Sequence, residues 1–351
     1  MTCRMPELPR QMTRLDAGHK FQEMRVALVS DDLTRTCLSR ECGLHHPTPI
    51  GGGLSFWLRK PAFLLVESAW EGHQGAWKYK IAAYPDHPRR SNASLQKLVA
   101  RARSRGIPTV FWNREDGVHF DRFIGSARLF DHVFTVDANC VPRYKAVMGE
   151  GASVHTLMFP VQPAMHSFTG FNFRHRRANF VGSYGQHVHD GRRQWQDAVF
   201  GAALASGLGL TVFDRNSGRK AGHYRYPALP GLAVRPAVPH AHTAQIYKDH
   251  LVSLNVNTVD DSPTMYSRRL VEILACGGIA VTSPAPSVDA MFKDYCHVVR
   301  TADEARPLFE RWHRDGPSAQ DLERARAGAD YVLREHTWAR RLAQIAQVVG
   351  L

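Results

Sequence analysis

Along the chain, short β-branched or aromatic runs alternate with polar loops and stretches of helical spacing. In the first half the runs are Arg25–Val29, Phe63–Val66, Thr109–Trp112, His132–Val136 and Val154–Met158, with helical periodicity over Leu95–Arg105 and Val141–Val147. Near-continuous apolar strands separated by helices predict a parallel sheet covered on both faces. After Pro160, Pro163 and the polar stretch Ser167–Arg177, the rhythm restarts. Strands are expected at Asn179–Gly182, Leu210–Phe213, Leu251–Val256, Ile279–Thr282 and His297–Val299. Helices are expected at Arg192–Ser206, Thr243–His250, Ser262–Gly278, Ser318–Arg334 and Trp338–Val348, and Tyr226–Pro239 reads as a Pro/Gly-rich crossing. The economical architecture is an α/β fold of two doubly wound, Rossmann-like domains facing a central cleft. The expected boundaries are a flexible polar tail over 1–23, a first domain over 24–166, a linker over 167–177 and a second domain over 178–335. Residues 336–351 form a last helix placed to pack back on the first domain.

Such sheets bind ligands outside the carboxyl ends of their strands. The most informative unit is Leu251–Thr282. Ser262 is a suitable N-cap and Pro263 suits a first helical turn. Tyr266, Leu270, Ile273 and Leu274 share an apolar face, and Gly277-Gly278 ends the helix. The opposite face carries Thr264, Arg268 and Glu272 at intervals of four. A helix N-terminus attracts phosphate, Arg268 would neutralise a diphosphate, and Glu272 would accept from ribose hydroxyls. The same spacing also makes Arg268–Glu272 an ordinary i,i+4 surface pair, worth about 0.2–0.5 kcal/mol.

Other strand ends carry further candidates. Gly182-Ser183-Tyr184-Gly185 forms a β–α turn able to approach phosphate, although it lacks the glycine spacing of a dinucleotide fingerprint. Arg215 follows Leu210–Phe213 and is either a second diphosphate contact or a solvated loop residue. On the first domain Glu67 follows one strand, and Glu115, Asp116 and His119 follow another. Each offers a general base for an acceptor hydroxyl, or a partner for its own loop, with Asp116 and His119 placed first. Trp70, Trp77 and Trp112 suit either stacking on a sugar or packing.

Charge and composition narrow the partners only in part. A formal charge of +13 over 351 residues attracts anions of any kind, including nucleic acid, anionic membrane surfaces and phosphorylated metabolites. The charge is dispersed; its densest run, Arg174–Arg177, falls in the expected linker, and no basic stripe is interleaved with aromatics, so nucleic acid ranks last. The six cysteines are scattered without a CxxC pair, which argues for free thiols in a reducing cytoplasm. The His187/His189/Asp190 and His240/His242 groups, and Asp260-Asp261, lack helical metal-ligand spacing and read as structural or solvent-exposed. No apolar run approaches the roughly 18–20 residues of a membrane span, and no secretory signal pattern opens the chain. Peripheral contact with the inner face of a membrane stays compatible with the charge.

Several segments together resemble a known family. VNTVDDSPTMYSRRLVEILACGGIAVTS at 256–283 resembles the donor-site segment of group-1 glycosyltransferases with the two-domain GT-B fold. It is similar, more narrowly, to the spore maturation protein CgeB-like branch. FLLVESAWEG (63–72), IPTVFWNREDGVHFDRF (107–123), LFDHVFTVDANCVPRYK (129–145), NFVGSYGQHVHDGRR (179–193) and LREHTW (333–338) extend the likeness over roughly residues 25–340. The resemblance implies a hexosyl-type transfer from a nucleotide-diphosphate sugar to a hydroxyl acceptor in glycan or surface polysaccharide synthesis. It implies donor contacts from Gly182, Ser183, Tyr184, Arg215, Ser262, Pro263, Thr264, Met265, Tyr266, Arg268 and Glu272, and chemistry without a metal or other cofactor. Glu272 matches the second of two family glutamates, whereas Thr264 stands where the first would be. A sugar-nucleotide epimerase of the same fold, and a basic nucleic-acid-binding protein, are the alternatives.

Overall fold

The computed structural model describes residues 21–51, Phe56 and 60–351, so nearly all of the expected tail, with Cys3, lies outside the described residues. The first sheet contains β1 (Arg25–Val29), β2 (Gly43–His45), β3 (Phe63–Glu67), β4 (Thr109–Asn113), β5 (His132–Thr135) and β6 (Ser153–Thr156), ordered β2-β1-β3-β4-β5-β6. The second contains β7 (His175–Gly182), β8 (Leu210–Asp214), β9 (Leu232–Pro236), β10 (His250–Asn255), β11 (Ile279–Thr282) and β12 (His297–Val298), ordered β12-β11-β10-β7-β8-β9. Every pairing is parallel. Strands β3 and β4 are buried along their whole length, as apolar runs beneath helices on both faces require. The chain order reverses at β1/β3 in one sheet and at β7/β10 in the other, the topological switch points where α/β sheets open a crevice.

Helices α1 (Asp32–Leu38), α2 (Ala93–Arg103), α3 (Phe120–Ala127) and α4 (Val141–Met148) cover the first sheet. Around the second lie α5 (Asp190–Ala205), α6 (Thr243–Asp249), α7 (Arg268–Ala275), α8 (Pro286–Met291), α9 (Ala302–Asp315) and α10 (Ala319–Glu335). A capping box between Ser318 and Asp321 starts α10. The final helix, α11 (Trp338–Val349), packs on the first half: Trp338, Leu342 and Ile345 join a core with Val26, Leu28, Phe63, Trp112 and Phe134. Trp338 meets Trp112 edge-on at 5.5 Å. The chain therefore crosses between halves twice, over 157–174 and over 336–337.

Three expectations change. The basic run placed in a linker instead enters β7 at His175, and the Tyr226–Pro239 crossing contains the edge strand β9. The helix expected from Ser262 begins at Arg268, with Ser267 as its extended N-cap. Residues 262–266 are drawn into the contact between the halves. Ser262 Oγ donates to Asp137 Oδ1 at 2.6 Å and accepts from Met265 N at 2.9 Å, so it caps a turn rather than the helix. Thr264 Oγ1 donates to the Val136 carbonyl and accepts from Ala138 N, each at 2.9 Å. Tyr266 OH donates to the Phe159 carbonyl at 2.7 Å. At its other end the helix stops as expected: Gly277 takes φ +73°, and the Gly278 N–H reaches the Ile273 carbonyl at 3.0 Å.

Candidate active site

The two switch points open onto one cavity of ≈ 450 Å³ between the halves. Asp31, Trp70, Arg114 and Glu115 line it from the first half, and Arg215, His240, Ser267, Arg268, Arg269 and Glu272 from the second. A larger hollow of ≈ 730 Å³ lies along the β9 edge, lined mostly by Tyr226–Pro236. It has no comparable convergence of charges from both halves.

On the first side, Asp31 follows β1 and accepts three backbone N–H groups, from Trp70, Glu71 and Gly72, at 3.3, 3.2 and 2.7 Å. It fixes the loop that carries Trp70 into the cavity. Glu67 is fully buried behind this loop. It accepts from the Asp31 N–H at 2.7 Å and from the Thr34 hydroxyl, and lies 2.9 Å from Arg114 Nε. Burial raises its pKa although Arg114 opposes the shift. Glu67 is thus a post for Arg114 and does not line the cavity. Asp116 likewise lies outside the lining: it has no exposed surface, and takes hydrogen bonds from Asn113 Nδ2 at 2.6 Å and Tyr144 OH at 3.0 Å. Burial pushes its carboxyl up to about 7. His119 is half-buried behind Trp70, ring centroids 5.3 Å apart. Of the four expected bases only Glu115 lines the cavity, where its charge acts on Arg114 and Arg215.

On the second side, the Gly182 carbonyl accepts the Arg215 N–H at 2.9 Å, which fixes the turn carrying Arg215. Ser183 uses its carbonyl for Arg192 at 3.0 Å. Tyr184 turns away and donates to Asp197 at 2.7 Å. Thus Val181 and Arg215, rather than Gly182, Ser183 and Tyr184, face the cavity. Likewise, Ser262, Pro263, Thr264, Met265 and Tyr266 lie outside its lining, because the contact between halves takes up this segment.

Arg268 and Glu272 do come together in the cavity. Arg268 Nε donates to Glu272 Oε1 at 3.1 Å, and His240 Nε2 lies 2.7 Å from the same oxygen. Burial penalises the Glu272 carboxylate, yet the His240 hydrogen bond and the Arg268 charge outweigh it and hold the carboxyl at about 2. Arg269 is anchored beneath, to the Val181 carbonyl and to Asn255 Oδ1, with its guanidinium 4.4 Å from the Phe180 ring centre. Burial lowers the pKa of Arg215 and brings that of Arg269 down to about 10, and the neighbouring arginines add to both shifts. On this side three guanidiniums face one carboxylate, and the whole lining sets four guanidiniums against the carboxylates of Asp31, Glu115 and Glu272, a small excess of positive charge in a partly desolvated crevice that suits an anion.

Asp31, Arg114, Arg269 and His240 were absent from the sequence-based site. His240, expected to be structural or exposed, instead closes on Glu272. Arg269 alone had a visible signal, the doubled arginine of Ser267-Arg268-Arg269. Among the described residues, five cysteines are buried and free. No helix of the described residues is long and apolar enough to cross a membrane.

Residues 186–347 match the model of a family described as glycosyl transferase-like; the match begins after β7 and ends within α11. No curated protein matches the chain significantly. Solved structures share its fold at low identity. An α-glucosyltransferase in complex with UDP and a 13-mer DNA containing an HMU base aligns with TM-score 0.62 and 10% identity, over 94% of this chain and 100% of that one. The phage T4 BGT in complex with its UDP-glucose substrate gives 0.56 and 11%, over 93% and 100%. A UDP-forming α,α-trehalose-phosphate synthase from Burkholderia xenovorans gives 0.52 and 13%, over 85% and 75%. The two parallel six-stranded sheets therefore form a GT-B fold.

Proposed function

We propose that the chain is a glycosyltransferase that moves a hexosyl group from a nucleotide-diphosphate sugar to a hydroxyl acceptor. The observation that carries this reading is the convergence of Arg215, Arg268 and Arg269 with Glu272 and His240 at the switch point of the second sheet, facing Trp70 and Glu115 across one cavity. The donor diphosphate rests against Arg215 and Arg268, with Arg269 as a fixed charge behind them. Glu272, with both of its protein hydrogen bonds on Oε1, offers its other oxygen to ribose hydroxyls. The acceptor enters over Trp70, and Glu115 is the carboxylate placed to receive its proton. The acceptor oxygen forms a bond to the anomeric carbon as the bond from that carbon to the diphosphate oxygen breaks. The arginines take up the charge that develops on the leaving group.

The glycosyl transferase-like match and the naming of UDP or UDP-glucose in the fold neighbours support a nucleotide-sugar donor. The motif resemblance supports a CgeB-like placement and a role in glycan assembly, and the free, buried cysteines support a cytoplasmic location. An epimerase of the same fold would use the same donor side without an acceptor. Incubation of the protein with UDP-sugars alone, followed by NMR of the sugar nucleotide, separates the two. An unchanged sugar nucleotide that is consumed only when a hydroxyl acceptor is added supports transfer; a new sugar epimer without acceptor overturns it.

A further inference from the structure

Behind Glu272, two histidines carry ring nitrogens that the reaction does not use. His166, in the 157–174 crossing between halves, has no exposed surface. Its Nε2 lies 2.8 Å from Thr243 Oγ1, and the Thr243 hydroxyl gives its proton to the His240 carbonyl at 2.8 Å. The hydroxyl oxygen must therefore accept from His166, which places the His166 proton on Nε2 and leaves Nδ1 as a bare lone pair. Among the described residues that buried Nδ1 meets no hydrogen-bond partner, and neither does Nδ1 of His240. The two rings lie 4.9 Å apart, and His240 Nε2 is 2.7 Å from Glu272 Oε1. One ligand atom from each of His166, His240 and Glu272 falls within 4.8 Å of the other two.

We propose that His166, His240 and Glu272 form a site for a divalent transition metal of the Zn²⁺ class. A metal takes the place of the proton between His240 Nε2 and Glu272, and that proton moves to the unpartnered Nδ1 of His240. Two imidazoles and a carboxylate are a usual ligand set for Zn²⁺, with a fourth position left toward the cavity. Thr243 supplies the outer hydrogen bond that fixes a metal-bound imidazole. The surrounding charge sets the selectivity. Arg268, Arg269 and Arg215 repel a cation held by charge alone, so Mg²⁺ and Ca²⁺ are disfavoured. A metal that gains from nitrogen ligation is not. Such a metal joins the crossing segment to the turn that precedes α6 and to α7 in the second half, at the carboxylate proposed for the ribose.

The test is a Co²⁺ titration of the full chain after chelator treatment, read by visible d–d absorption. The expected result is a saturable tetrahedral spectrum displaced by Zn²⁺ but not by Mg²⁺, and lost in His166→Gln and His240→Gln. It should persist in His187→Gln, which alters an exposed histidine packed on His223. Thr243→Val keeps all three ligands and should weaken Co²⁺ binding by about 10–100-fold; it decides the matter if His166→Gln does not fold. Absence of the spectrum in the wild type overturns the proposal. So does an unchanged spectrum in His166→Gln, or an unchanged affinity in Thr243→Val. Because the readout needs no sugar nucleotide, failure of the glycosyltransferase reading would not be mistaken for failure of the metal site.

Discussion

Asp116→Asn separates a buried structural acid from a catalytic base. Burial moves the Asp116 carboxyl from an ordinary 3.8 to about 7. The folded state therefore holds its proton more tightly than the unfolded chain does. Its contribution to stability is fully present below pH 3.8 and is lost as pH rises to about 7, with no further slope above that. The displacement corresponds to about 4 kcal/mol. Asparagine cannot ionise, and its amide can still accept from Asn113 while donating to the Tyr144 oxygen. At pH 8 the variant should thus be more stable than the wild type by about 2–4 kcal/mol, after allowing for the cost of re-aiming the Tyr144 hydroxyl. Urea unfolding of both proteins at pH 5 and pH 8 measures this. Equal pH slopes in wild type and variant would refute the reasoning. Turnover gives a second reading: loss of a general base costs about 10²–10⁴-fold, whereas a buried acid outside the cavity predicts less than about tenfold.

Other expected outcomes follow from the same geometry. Ser262→Ala removes the hydroxyl donor to nearly buried Asp137 and should lower stability by about 1–2 kcal/mol in thermal or urea unfolding, with a far smaller loss of donor affinity than Arg268→Ala. Gly117 has φ +85°, and a Cβ there would sit 2.9 Å from Val259 across the contact between halves. Gly117→Ala should cost about 1–3 kcal/mol, read as a lower melting temperature. Trp70→Ala should raise the acceptor KM by about tenfold, equivalent to roughly 1.4 kcal/mol, while leaving donor affinity within about twofold.

Strands such as β3 and β4 were legible because a fully buried parallel strand must be apolar at successive positions. β2 is a short Gly-Leu-His segment, and β9 is an exposed edge ending at Pro236. Neither has a pattern to distinguish it from a loop. The start of α7 was misplaced because Ser262-Pro263 carries a valid local capping signal that a distant partner overrides. Asp137 takes the Ser262 hydroxyl, and Asn257 Oδ1 accepts the Ser267 N–H at 2.9 Å. Arg268 and Glu272 were readable from their spacing on one helix. Asp31, Arg114, His166 and His240 were not, since their roles arise from contacts across the sequence that no local periodicity encodes. The cavity also sorts the acidic candidates: Glu115 faces it, while Glu67 and Asp116 are turned inward by Arg114 and Tyr144.

The most direct measurement is calorimetric titration of a panel of nucleotide-diphosphate sugars, beginning with UDP-glucose, into the wild type, Arg268→Ala and Glu272→Ala. Saturable wild-type binding of at least one donor is expected, weakened about 10–100-fold by Arg268→Ala and about tenfold by Glu272→Ala. Wild-type protein that binds none of the panel, or variants that bind as tightly as the wild type, would contradict it.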